Sequence, residues 1–66
     1  MRAKVNGAER ELSPGTSVGA LVNEMAADAK AVAVAINRAV VPRKEWSSVQ
    51  VQEGDDIEII APFHGG

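Results

Sequence analysis

Glu53-Gly54-Asp55-Asp56-Ile57-Glu58-Ile59-Ile60 is the stretch that decides the fold. Its first four residues are acids around a glycine, the composition of a turn. The next four are a short apolar run of β-branched residues broken once by Glu58, which reads as a central, mostly buried strand. Pro62 ends that pattern, and Phe63-His64-Gly65-Gly66 follow as a projecting tail. The fold is therefore one in which a final central strand delivers the end of the sequence.

Upstream, each segment supplies a neighbour for that strand. Residues 2–5 and 8–12 flank Asn6-Gly7, the dipeptide best suited to a two-residue type I′ hairpin turn, because both central positions need φ > 0. Ala3, Val5 and Leu12 give the hairpin one apolar face. Ser13-Pro14-Gly15 breaks the pattern, and Thr16 or Ser17 is positioned to cap a helix carrying Val18, Leu21, Val22 and Met25 at i, i+3, i+4, i+7. That helix is weak alone: Gly19 costs about 1 kcal/mol relative to Ala, and Glu24 with Asp28 places like charges at i, i+4. Val32, Val34 and Ile36 alternate with alanines as a strand, Asn37-Arg38 turns the chain into Ala39-Val40-Val41, and Pro42 ends that short strand. Lys44-Glu45-Trp46-Ser47 fits one helical turn with Trp46 lidding the core edge, and Val49 and Val51 alternate with Gln50 and Gln52. The order is β-β-α-β-β with a fifth strand at most: an α+β fold, a mixed four- to five-stranded sheet on one main helix, in a single domain over 1–66.

Composition narrows the classes. Thirteen residues are Val or Ile against two Leu, which favours strands. A net charge of −2, seven scattered basic residues and two aromatics give neither a basic stripe nor a stacking platform, so nucleic acid is not expected as a partner. No apolar run approaches the ~20 residues of a membrane span, and the first residues do not have the form of a signal peptide. The expectation is a soluble cytoplasmic protein. With no cysteine, the chain itself offers no thiol nucleophile and holds no persulfide.

No catalytic set is visible. His64 is the only histidine, which rules out a His-based metal cluster or a Ser-His-Asp triad in its usual form, and Gly15 and Gly19 do not make a phosphate-binding loop. The unusual handle is the α-carboxylate of Gly66. Gly65 and Gly66, lacking Cβ, can lie extended in a tunnel too narrow for side chains, as activation of a terminus by another protein's ATP requires. His64 is either part of that access tail or a solvated residue. Phe63 is either a plug that finishes the sheet or an anchor for a partner's pocket. Glu53, Asp55, Asp56 and Glu58 form either a docking surface for a basic partner or a solvated acidic turn.

Several segments together resemble the ThiS family of thiamine-biosynthesis sulfur carriers, ubiquitin-like β-grasp proteins. They are Val5-Asn6-Gly7, Pro14-Gly15-Thr16-Ser17-Val18 into Leu21, Val34-Ala35-Ile36-Asn37, Val40-Val41-Pro42-Arg43-Lys44-Glu45-Trp46, Glu53-Gly54-Asp55-Asp56-Ile57-Glu58-Ile59 and Gly65-Gly66. The resemblance implies that Gly66 is adenylated by a ThiF-like, E1-like adenylyltransferase using ATP and magnesium, with no cofactor bound by this chain. The adenylate becomes a thiocarboxylate with sulfur from a cysteine desulfurase or another donor, and a ThiG-like thiazole synthase receives that sulfur. The chain is then a carrier and not an enzyme, Gly66 the acceptor and Gly65 the clearance residue behind it. The small subunit of molybdopterin synthase shares the fold and the ending but is longer and richer in aromatics. A carrier for another pathway, a ubiquitin-like protein modifier and a plain interaction module are the remaining alternatives.

Overall fold

A computed structural model describes residues 1–26 and 32–60. The hairpin forms as its turn dictates: β1 (Arg2–Val5) pairs antiparallel with β2 (Ala8–Glu11), and Asn6 and Gly7 both take positive φ, 51° and 85°. The helix α1 (Val18–Ala26) begins with Ser17 as its cap, whose Oγ accepts the Ala20 N–H at 3.0 Å. Thr16 instead closes the preceding turn, its hydroxyl donating to the Ser13 carbonyl at 2.6 Å.

The second half of the chain builds the rest of the sheet. Strand β3 (Ala33–Ile36) turns through Asn37 and Arg38, both at positive φ, into the two-residue β4 (Ala39–Val40). Pro42 then starts a 3₁₀ turn (Arg43–Glu45) that seats Trp46, and β5 (Asp56–Ile60) closes the fold. The sheet runs β2-β1-β5-β3-β4, with β5 at its centre, parallel to β1 and antiparallel to β3. This is the mixed sheet with one main helix that the sequence predicts, with five strands where four to five are expected.

Three details depart from expectation. Val18, Leu21 and Val22 are buried, but Met25 is 39% exposed, so the apolar stripe ends a turn early. Val49–Gln52 makes only an isolated bridge, Ser17 to Gln50, and is no strand of the sheet. Strand β5 is central but covered on one face alone: Ile57 and Ile59 are buried, whereas Ile60 is 59% exposed. Helix α1, the one α-helix among the described residues, covers one side of the sheet, and the alternation of β5 sends Asp56, Glu58 and Ile60 to the other.

The covered side holds the core. Ala3, Val5, Leu12, Val18, Leu21, Val22, Val34, Trp46, Val51, Ile57 and Ile59 form one cluster. Trp46 is a core residue whose indole N–H donates to the Val41 carbonyl at 2.9 Å, which satisfies its polar edge. Its backbone carbonyl accepts the Gly19 N–H at 2.9 Å, locking the 43–46 turn to the start of α1. Glu24 finds its partner across the fold in Arg10 of β2.

Candidate functional site

The site is the C-terminal end of β5 and what surrounds it. Gly66, Gly65, His64 and Phe63, singled out above, lie outside the described residues. The described structure fixes the strand that leads to them, and two asparagines hold that strand.

On one side, β1 runs parallel to β5. In a parallel ladder a residue donates its N–H to one residue of the neighbour and accepts from the residue two further on. The first of these bonds is present: the Asn6 N–H donates to the Ile57 carbonyl at 2.9 Å. The second would come from the Ile59 N–H to the Asn6 backbone carbonyl, but Asn6 has already turned into the hairpin. Its side-chain Oδ1 accepts that N–H instead, at 2.8 Å. The side chain thus carries the ladder one step past the end of β1.

The same substitution occurs on the other side. Asn37 donates its N–H to the Asp56 carbonyl at 2.7 Å, continuing the β3–β5 ladder. The return bond from the Asp56 N–H goes to Asn37 Oδ1 at 3.0 Å. Asn37 Nδ2 also donates to Asp55 Oδ1 at 3.1 Å. Both asparagines sit at the first position of a positive-φ turn, a conformation asparagine tolerates better than most residues. Their turn preference is legible in the sequence; their grip on β5 is not, because it depends on which strand lies beside each turn.

The four acids divide by position. Asp55 is built into the turn: its Oδ2 accepts the Gln52 N–H at 2.7 Å while Oδ1 holds Asn37. Glu53 accepts the Arg2 N–H at 2.9 Å and ties the turn to β1. Asp56 and Glu58 are exposed on the open face of the sheet. On that face the register aligns Glu9, Lys4 and Asp56 across β2, β1 and β5, and Glu58, Ala35 and Val40 across β5, β3 and β4. Ile60 stands opposite Ala33, and Val40 is 76% exposed. The open face beside the end of β5 is therefore a small apolar patch bordered by carboxylates. The sequence reading misses Ile60 and Val40 as surface groups; the signal for Ile60 was its alternation with Glu58.

The Val41-Pro42-Arg43-Lys44-Glu45-Trp46 segment is structural in its inner half and exposed in its outer half. The Arg43 guanidinium lies over the Trp46 ring, 5.1 Å from its centroid. At the opposite edge of the sheet, the Met1 ammonium donates to Glu11 at 2.8 Å, and with Arg2 it holds the Glu11 carboxyl below its ordinary range. No group of His, Asp or Glu among the described residues is arranged to hold a metal, and no helix among them is long and apolar enough to cross a membrane.

Comparison with known proteins follows this architecture. The ThiS family model matches residues 3–66. The chain is 39% identical over 66 residues to a thiazole synthase from Paramagnetospirillum magneticum, spanning all of this chain and 20% of that protein. It is 30% identical over 66 residues to the sulfur carrier protein ThiS of Escherichia coli, spanning the whole of both. Among solved structures, the crystal structure of a thiamine biosynthesis protein (ThiS) from Geobacter metallireducens superposes with a TM-score of 0.82 at 28% identity and full coverage of both chains. The solution structure of a Geobacter metallireducens thiamine biosynthesis protein gives 0.81 at 28% identity, with 88% of that chain covered. The chain belongs to the ThiS family, with the β-grasp fold.

Proposed function

We propose that this chain is a sulfur carrier for formation of the thiazole ring of thiamine, and a substrate of other enzymes. The observation that carries the reading is the full-length match to a ThiS sulfur carrier, on a fold whose central strand ends at Ile60, with four residues between it and Gly65-Gly66 in sequence. A carboxylate is a poor electrophile. Its oxygen attacks the α-phosphorus of ATP, pyrophosphate leaves, and the Gly66 acyl-adenylate forms on a ThiF-like enzyme with its magnesium. Sulfide, or a persulfide whose S–S bond a second thiol then cleaves, attacks the acyl carbon and expels AMP, leaving a thiocarboxylate. The carrier needs no cysteine for this, and it has none.

The partners follow from the same chemistry. A protein named thiazole synthase contains a segment 39% identical to this entire chain, which favours a ThiG-like thiazole synthase as the acceptor of the sulfur. Ile60 and Val40, bordered by Asp56 and Glu58, offer a partner an apolar contact with an acidic rim, and Phe63 adds an aromatic anchor. Glu53 and Asp55 contribute by holding the turn that starts β5. The six residues after Ile60 reach at most about 20 Å, enough to enter an active site while the sheet stays outside. The ThiF-like activating enzyme and a cysteine desulfurase as sulfur source complete the scheme, in the cytoplasm.

The test is intact mass after incubation with a ThiF-like enzyme, ATP, magnesium and a sulfur source. The expected product is heavier by the exchange of one oxygen for sulfur, located on Gly66 by fragmentation. No such species, with an enzyme that activates a known carrier in parallel, overturns the proposal.

A further inference from the structure

We infer that Asn6 is a positioning residue for the reactive terminus: its side chain fixes the last described step of β5 and so sets where the tail departs from the fold. The inference rests on the reading of Gly66 as acceptor and adds a residue 60 positions away in sequence to the machinery that presents it.

The geometry is specific. Beyond Ile57, β5 has no backbone partner on its β1 side among the described residues, because β1 ends at Val5. On its other side, β5 remains paired with β3 as far as Ile60. Among the described residues, the Asn6 Oδ1 bond to the Ile59 N–H is the one contact that continues the β1-side ladder toward the tail. A strand held by one edge can twist and splay about that edge; one held by both cannot. A shift of Ile60 shifts the covalent starting point of every residue after it, and misplacement of about 1 Å at a reacting centre can cost about 100-fold in rate.

Asn37 supplies an internal control. It makes the equivalent side-chain bond to β5 at Asp56, the end remote from the tail. A glycine at either asparagine keeps the positive φ of the turn and removes only the carboxamide. If Asn6 serves stability alone, the two glycine variants should affect activation in proportion to their stability losses. If it positions the tail, only the Asn6 variant should slow the chemistry.

The experiment compares wild type, Asn6→Gly, Asn6→Asp and Asn37→Gly, each shown to be folded, as substrates of a ThiF-like enzyme with ATP and a sulfur source. The readouts are kcat and KM for thiocarboxylate formation by intact mass, and amide exchange at Ile59 by NMR. Asn6→Gly should exchange Ile59 about fivefold faster, the equivalent of one hydrogen bond. It should lower kcat about tenfold with KM nearly unchanged, because the open face of the sheet is intact. Asn6→Asp, which retains an acceptor oxygen, should recover kcat to within about twofold of wild type. Asn37→Gly should keep the wild-type kcat. A wild-type kcat in Asn6→Gly, an Asn6→Asp variant as slow as Asn6→Gly, or an equal loss in Asn37→Gly each overturns the inference while the carrier reading stands. A wild-type chain that acquires no sulfur overturns the carrier reading and the inference with it.

Discussion

The indole N–H of Trp46 donates to the Val41 carbonyl at 2.9 Å, and this bond closes the segment that joins the edge of the sheet to the start of the helix. Trp46 is buried and Arg43 packs over its outer surface. Trp46→Phe keeps most of the buried area but leaves the Val41 carbonyl without this donor, and should cost about 1–3 kcal/mol. Trp46→Ala should cost about 3–5 kcal/mol, enough to unfold much of the population of so small a domain. Urea denaturation followed by circular dichroism measures both. A Trp46→Phe variant of unchanged stability would move this residue from the core to a partner surface.

Gly19 is a glycine that the structure does not need. A Cβ there would meet the Trp46 carbonyl oxygen at 3.5 Å and the Ser47 nitrogen at 3.7 Å, ordinary contact distances. Gly19→Ala should therefore stabilise the protein by about 0.5–1 kcal/mol through helix propensity. A loss of stability would show that the helix and the 43–46 turn pack more tightly than these distances indicate.

Arg38 is the opposite case. It sits at φ 71° in the hairpin turn between β3 and β4, where a side chain is strained. Arg38→Gly should gain about 1 kcal/mol from relief of that strain, less the added freedom of the unfolded chain. The shift of the thermal midpoint reads the balance, and a lower midpoint contradicts it.

The turns and their partners show how far the sequence could be read. Asn6-Gly7 announces a hairpin by itself, the spacing of Val18, Leu21 and Val22 announces a helix, and the alternation around Val34 announces a strand; each is a local signal. Which strand lies at the centre follows less directly, and the two side-chain bonds from Asn6 and Asn37 to β5 follow from no local pattern at all. Met25 completes a helical stripe in the sequence, yet it stands exposed in the last turn of α1. Ile60 looks like core because it adjoins Ile59. Its exposure follows from α1 lying on the opposite face of the sheet.

The open face should separate docking from folding. Val40→Asp and Ile60→Asp place charges on exposed positions of that face, so stability should change by no more than about 0.5 kcal/mol, while affinity for a ThiG-like thiazole synthase should fall at least about tenfold, as for loss of a buried apolar contact in an interface. Isothermal titration measures the binding. Unchanged affinity in both variants would exclude this face from the contact.

The Glu11 carboxyl gives the pH dependence a sign. Its pKa is lowered in the folded protein, first by the hydrogen bond and charge of the Met1 ammonium and then by Arg2. A depressed carboxyl contributes stability above its unfolded pKa, and that contribution is lost as pH falls through the folded value. Glu11→Gln should accordingly narrow the difference in stability between neutral pH and pH of about 3. The effect should be small and salt-sensitive, since the pair is exposed. An acid limb unchanged by the substitution would show that the ion pair does not persist in solution.

Sulfur carried on Gly66 should leave to a thiazole. The direct measurement starts from the purified thiocarboxylate carrying isotopically labelled sulfur. It is mixed with a ThiG-like thiazole synthase and its small-molecule substrates, with no other sulfur source, and both protein and product are analysed by mass. The label should appear in the thiazole in proportion to carrier consumed, while the carrier returns to the mass of its carboxylate. Label that stays on the carrier in the presence of a synthase active with another ThiS protein would contradict this transfer.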